Sequence, residues 1–514
     1  MSSLRAFNLP PAEGMVTICE RDGTMAVIPH DEIEHTPKLL NYPDVTVSRE
    51  MMKPTLTKES ARSAFIEHNE TLRRRILHAW YEHGITGVLE ELVNENSSVS
   101  KLSTYLLAAV RWINSLHGSM FPHLSMSSDG MVTEFSSHAD WLNSPIRAFV
   151  WHPHIIKYAV CLQDDSIRVY SKQTEIVPTL KHKLQKGVSE VAWKPFSASI
   201  LAVACQTCVL IWHVDPMSLS TRPSTSSVQV LSQSGHCPIT SLAWCPKGGV
   251  LVSASAADTA MMVWDVATEV CIPLRRYGGG GVSLLRWSPD GSKLLSATPS
   301  TIFRVWDSQT WTCEKWSKLA GRCQVACWNP QGTVLLFATR DEPTIYSLTF
   351  GNIEQTSSAM IGGSKMAISC IDVSEVEVTS GGNETIRVGG TVHSMVWDPT
   401  GERLAVQFTD NGENGSSLVV LFRTKVHNMI EIIPCGFIRG HPGEKPHLIS
   451  FQPDFDKGAV LTVVWSSGRV AFIPLYYIPM NSMNPHSIYR NLPTNGHIHQ
   501  TELFTDRLNP SAPS

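Results

Sequence analysis

The chain has 514 residues, 42% of them hydrophobic, with 42 Lys and Arg against 46 Asp and Glu for a formal net charge of −4. That balance excludes a dominant phosphate-binding role, which needs clustered positive charge. No stretch reaches the roughly 20 apolar residues of a bilayer span, since the nearest, Leu102 to Leu116, is short and carries Arg111, and the opening "MSSLRAFNLPPAEG" has no apolar signal-peptide core.

A soluble chain with its 12 cysteines reduced and mostly buried is therefore expected, and any membrane association should be indirect, through a partner. Residues 1–58 read as an irregular, Pro-bearing segment. Within it Met15 to Ile28 alternates around Asp22-Gly23 and predicts a hairpin. Residues 59–125 read as an α-helical segment. Phe65, Leu72, Ile76 and Trp80 recur at helical spacing, as do Leu102, Leu106, Val110 and Ile113.

From there on a repeat organises the chain. Trp151, Trp193, Trp244, Trp287, Trp328 and Trp397 each open a W-x-P triplet, and Phe451 opens a seventh copy, "FQP". A second aromatic anchor follows each in turn: Tyr170, Trp212, Trp264, Trp306, Tyr346, Phe422 and Phe472. Several short strands per unit, repeated at about 40–45 residues, are the signature of a WD40-type β-propeller.

In the copy "VSLLRWSPDGSKLLSATPSTIFRVWD" the first strand ends at Trp287, because Pro289 cannot donate to a ladder. Pro-Asp-Gly makes the turn, "KLLSAT" returns and "TIFRVW" is the third strand. Trp287→Ala is expected to cost about 3–5 kcal/mol if that Trp is a buried intersheet anchor. The fold class is thus all-β: a seven-bladed propeller over 130–479 with an N-terminal α-helical segment. Gly130 to Ser137, "GMVTEFSS", is the expected closing strand of the last blade. Two surface insertions are expected, at 350–390 and at Thr409 to Ser417, and 480–514 reads as a flexible tail.

Chemistry is sparse. Cys205 and Cys208 spell C-x-x-C, but read as one strand they would face opposite ways, and no second pair completes a metal site. The "YGGGG" run from Tyr277 lacks the Lys and helix of a phosphate loop. His152 and His154 read as the turn of the first blade, the triplet Arg73 to Arg75 as a solvated helix face, and Lys181 to Lys186 as an interblade loop. His236 and Asp258 read as a structural hydrogen-bonded pair. The sequence predicts no catalytic residue, cofactor or metal, and leaves the partner-binding residues undefined.

Taken together, "AFIEHNETLRRRILHAW", "VRWINSLHGSMFPHLS", "RAFVWHPHIIKYAVCLQDDSIRVY", "HSMVWDPTGERLAV" and "GRVAFIPLYYIP" resemble the aladin family of WD-repeat nucleoporins, from about residue 60 to 480. The resemblance implies a non-catalytic scaffold of the nuclear pore complex, on its cytoplasmic side at the nuclear envelope. It implies binding to other nucleoporins, recruitment by the transmembrane nucleoporin of the pore ring, support of nucleocytoplasmic transport of protein and mRNA, and a role at the mitotic spindle. Only Trp264-Asp265 and Trp306-Asp307 keep the WD dipeptide, and there is no FG-repeat tract. The alternatives are a WD-repeat adaptor of a ubiquitin ligase or vesicle coat, and an enzyme with acid/base groups in its channel. The apolar inner strands "ITSLAW" and "VSLLRW" speak against the last.

Overall fold

Every W-x-P copy ends the inner strand of its own antiparallel sheet, and there are seven such sheets. This is seen in a computed structural model that describes residues 2–47, Leu92 and 122–477, apart from 216–217, 219, 277, 279, 351–365, 380–384, 410–416 and 427–429. The expected helices over 59–117, the Arg73–Arg75 triplet and the tail lie outside the described residues.

The inner strands of blades 1 to 7 are Ile146–Trp151, Glu190–Trp193, Ile239–Trp244, Leu284–Trp287, Cys323–Trp328, Val392–Trp397 and Pro446–Phe451. Each touches the next, and the seventh touches the first, so the ring is closed. Blade 4 shows the unit: Leu284–Trp287, Lys293–Ala297, Phe303–Asp307 and Cys313–Trp316, in register Trp287 to Leu294, Leu294 to Trp306 and Trp306 to Cys313. Gly291 makes the expected turn at φ 67°.

The core is divided among the blade interfaces. Seven apolar clusters form, one between each neighbouring pair of sheets. Strand periodicity explains this. In blade 4, Leu295, Ala297, Phe303 and Val305 face blade 5, whereas Leu285, Leu294 and Trp306 face blade 3. With both faces covered, a middle strand such as Val334–Thr339 is buried at every residue, and polar-apolar alternation disappears.

Blade 7 is completed from the far N-terminus. The hairpin predicted at Met15 to Ile28 forms as Met15–Arg21 and Thr24–Pro29. Its first strand runs parallel to the third strand of blade 7, Arg469–Tyr476, pairing Glu20 with Leu475 and Arg21 with Tyr476. The other end of that edge pairs antiparallel with Val45–Thr46. Pro474, with no N–H to give, lies between the two pairings. Gly468, at φ 83°, is needed here, since a Cβ would lie 2.2 Å from the Val47 carbonyl oxygen. Ser2–Ser3 also joins the ring as a parallel edge strand on blade 5, so the described residues 2–47 of the segment expected to be irregular take part in the ring.

Two expectations are corrected. Gly130 to Ser137 is not the closing strand: Ser128–Phe135 is an α-helix, α1. Ser127 Oγ accepts the Gly130 N–H and Asp129 lies in the first turn, both of which favour a helix start. The 350–390 insertion is not only surface loop. It supplies the outer strand of blade 5, Ile368–Asp372, and a separate hairpin of Val376–Thr379 and Thr385–Val388. The Thr409 to Ser417 loop lies almost wholly outside the described residues.

Candidate functional site

A propeller's innermost strands leave one edge unpaired, and their N–H and C=O groups face the central channel. Here the channel encloses about 560 Å³. Its walls satisfy that edge with side chains. Glu190 Oε2, from blade 2, accepts Leu242 N–H (2.7 Å) and Ser241 Oγ–H (2.9 Å) of blade 3. Ser241 Oγ in turn accepts Leu285 N–H of blade 4 at 3.1 Å. Arg286 donates to Glu190 Oε1 at 3.2 Å. Both Glu190 oxygens are therefore engaged across three blades, an arrangement suited to tying inner strands together.

The W-x-P tryptophans do related work at the end of the channel where the inner strands finish. Trp244 Nε1 donates to Ala192 O (3.2 Å) and Trp328 Nε1 to Arg286 O (3.1 Å), each reaching the preceding blade. Trp151 Nε1 reaches Thr462 Oγ1 of blade 7 at 2.8 Å. These rings thus hydrogen-bond between blades as well as packing.

The opposite mouth is covered by the chain itself. The segment from the short turn Pro122–Ser125 through α1 to Ser144 crosses the face where the inner strands start. His123 Nε2 meets Gly280 O between blades 3 and 4 at 2.8 Å. Glu134 pairs with Arg322 (3.0 Å) and Arg340 of blade 5, and the Arg322 guanidinium lies 4.7 Å from the centre of the Phe135 ring. Ser137 O contacts His393 Nε2 of blade 6 at 3.2 Å, and Ala139 N–H donates to His447 O of blade 7. Trp141 is buried and donates to Val188 O at 2.8 Å.

The electrostatics of this cap follow from burial. Desolvation lowers Arg322 to about 10, with Glu134 opposing the shift, so it stays charged at neutral pH. Desolvation lowers His393 to about 4 and His138 well below its ordinary value, so both are neutral in the fold. The His138 and His447 rings meet at 5.1 Å.

The sequence-predicted anchors fall on two rings of positions. Trp151, Trp193, Trp244, Trp328, Trp397 and Phe451 are buried at the ends of inner strands, while Trp287 is only half-buried. On the third strands Trp212, Trp264, Trp306 and Phe422 are buried; Tyr170, Tyr346 and Phe472 are half-buried. His236 does form the expected network: Nδ1 to Asp258 Oδ2 (2.9 Å), Nε2 to Ser253 Oγ (3.0 Å), and Trp264 Nε1 to the same Ser253 Oγ (2.8 Å). Against the desolvation of its site, His236 and the Ala260 N–H hold Asp258 below the usual carboxylate range.

His152 serves the blade 1 turn, contacting Ser197 O and accepting the His154 N–H. The "YGGGG" run connects blades 3 and 4. Gly281 is needed there, because a Cβ would lie 1.9 Å from Ala256 O. Lys181, Lys183 and Lys186 are exposed in the loop between blades 1 and 2. Cys205 and Cys208 do not share a strand: they flank the turn between Ile200–Ala204 and Val209–His213, and both enter one apolar cluster. Among the described residues, no three His, Cys, Asp or Glu are placed to hold a metal ion, and no helix is long and apolar enough to cross a membrane.

Two constellations had no local signal. One is the Glu134–Arg322–Arg340 clamp under the cap. The other is the Glu20–Arg403 pair, fully buried on both sides, with Nη2 to Oε1 at 2.7 Å and Nε to Oε2 at 3.0 Å. Their partners are 188 or more residues apart in sequence.

Comparisons with known proteins agree with this architecture. Residues 127–476 match a family model described as the aladin seven-bladed propeller. The chain is 29% identical over 356 residues to aladin of Arabidopsis thaliana, covering 65% of this chain and 76% of that one. It is 23% identical over 240 residues to the WD repeat-containing protein AAC3 of Dictyostelium discoideum, covering 44% and 45%. A chain in a crystal structure of the mitotic checkpoint complex aligns with a TM-score of 0.44 at 16% identity, covering 64% of this chain and 92% of that one.

Proposed function

The chain belongs to the aladin seven-bladed propeller family, a scaffold type of WD-repeat propeller, and from that membership we propose that it is a non-catalytic component of the nuclear pore complex. In this reading it supports nucleocytoplasmic transport by binding other nucleoporins. The transmembrane nucleoporin of the pore ring recruits it to the nuclear envelope, on the cytoplasmic side, so its membrane association is indirect.

The family match over the whole ring carries the proposal. The channel supports its non-catalytic part. The two carboxylates on the described channel wall are both engaged: Glu190 by Ser241, Leu242 and Arg286, and Asp398 by the Arg403 N–H and Tyr477, which leaves them poorly placed for proton transfer to a substrate. Among the described residues, α1 and its flanks cover one mouth, which leaves the outside of the ring and the W-x-P end for partners.

Imaging a tagged, folded chain in interphase cells tests the proposal. A punctate nuclear rim is expected. Diffuse cytosolic or Golgi signal from the folded protein would overturn the pore assignment in favour of another assembly.

A further inference from the structure

The C-x-x-C pair sits in a place the strand reading did not anticipate. Ala204 and Val209 are the last paired residues of two adjacent strands of blade 2. Beyond them the Cys205 N–H donates to Cys208 O at 2.9 Å. A backbone bond between directly opposed residues brings their Cα atoms to about 5.5 Å, inside the roughly 4.4–6.8 Å that a disulfide accepts. Both side chains point into the same cluster between blades 1 and 2.

The pair is also asymmetric. The neighbouring Cys205 lowers Cys208 despite its burial, with help from Thr207, whereas Cys208 and burial raise Cys205. If a proton leaves this pair it leaves Cys208, and the thiolate is the nucleophile. Thr207 beside it is exposed, so the turn lies at the surface although both sulfurs are tucked beneath it.

We propose that Cys205 and Cys208 are a redox site that closes to a reversible disulfide when oxidised by a hydroperoxide. The Cys208 thiolate attacks a peroxide oxygen, breaks the O–O bond and releases hydroxide, leaving a sulfenic acid. Cys205 sulfur then attacks the Cys208 sulfur. The S–O bond breaks, the hydroxyl leaves with the Cys205 proton as water, and the S–S bond forms. Two thiols are oxidised and one hydrogen peroxide is reduced to two waters. In a reducing compartment such a bond is transient, as expected of a sensing rather than a structural disulfide.

The turn is coupled to the cap. Gln206 N–H donates to Lys186 O at 2.9 Å, and two residues on Val188 O accepts the Trp141 indole. A change at the turn therefore reaches the loop that holds the cap over blade 2.

The site can be read directly, because fragment 187–214, cut by trypsin after Lys186 and by Asp-N before Asp215, carries Cys205 and Cys208 and no other cysteine. The full chain is reduced, desalted, titrated with hydrogen peroxide, then unfolded, alkylated and digested. The expected product is this fragment lighter by two hydrogens and unalkylated, returning to the doubly alkylated form after dithiothreitol. It should appear while buried Cys161 and Cys245 still alkylate fully. Cys205→Ser should leave a dimedone-trappable sulfenic acid at Cys208, and Cys208→Ser should leave Cys205 unreacted. The proposal is overturned if the fragment stays doubly alkylated at peroxide doses that consume the half-exposed Cys237 and Cys313. A bond from Cys208 to Cys161, or direct passage to sulfinic acid, would overturn it too. The wild-type readout stands even if a serine variant fails to fold.

Discussion

Blades 4 and 7 occupy equivalent places in the ring and are built in opposite ways. All four strands of blade 4 lie within one stretch from Leu284 to Trp316. Its lock is local and neutral: Trp306 Nε1 donates to Ser296 Oγ at 2.8 Å, ten residues away. Blade 7 takes three strands from 446–476 and borrows its outer edge from Met15–Arg21 and Val45–Thr46. Its lock is distant and ionic. Arg403 of blade 6 holds Glu20 of the hairpin in a fully buried pair, and Tyr477 lies under the guanidinium at 4.6 Å while bonding Asp398. A ring of local units needs one non-local joint, and such joints form late because distant segments must first be brought together.

The sharpest way to break this contrast is Arg403→Ala. It leaves the Glu20 carboxylate buried without its partner. Breaking a buried pair in this way costs about 3–5 kcal/mol, and the value here should lie at the upper end because both partners are fully buried. Denaturant unfolding should show it, together with faster proteolysis after Arg21. Replacing both residues with methionine should recover most of the loss; no recovery would mean that the pair does not work as a unit.

Trp306→Ala tests the local lock. The ring is 2% exposed, and truncating a buried aromatic of this kind costs about 3–5 kcal/mol. The same change at Trp287 should cost only about 1–2 kcal/mol. That ring is half-buried and its Nε1 has no hydrogen-bond partner among the described residues, which revises the larger effect expected from the repeat alone. Equal losses at the two sites would contradict the assignment of the stronger anchor to the third strand.

Acid should separate the two regions with a smaller effect. His393 is lowered from 6.5 to about 4 by burial. The unfolded chain therefore binds this proton first. This group's contribution is lost as pH falls from about 6.5 to about 4, on the order of 3 kcal/mol. The loss should centre on the cap, where Ser137, His138 and His447 surround the blade 6–7 side, because blade 4 has no histidine between Leu284 and Trp316. Unfolding midpoints measured from pH 7.5 to 5 should fall for the wild type and fall less steeply for His393→Gln, the remaining slope being carried by buried His138. Parallel slopes would show that another group titrates.

Much of the fold was legible along the chain. Pro after each inner-strand aromatic marks where a ladder stops, so the copies could be counted as blades. Asp22-Gly23 between alternating residues marked a hairpin. Its destination was not legible, because nothing in Met15 to Ile28 states that it will lie parallel to residues 475–476. Gly130 to Ser137 was misread for a related reason. A short segment with two buried residues fits either a strand or a helix, and the Ser127 cap decides between them. Cys205 and Cys208 were misread because C-x-x-C spacing does not reveal whether a turn falls inside it.

The sequence by itself determined the repeat, the number of blades, the strand ends and the family, because each follows from local chemistry recurring along the chain. The tertiary structure alone decided how the ring closes, which mouth is capped, and which charges are buried together. Those outcomes depend on pairs such as Glu20–Arg403 and Glu134–Arg322, whose partners meet only after the blades between them have folded. Contact between residues so far apart leaves no periodic trace in the sequence.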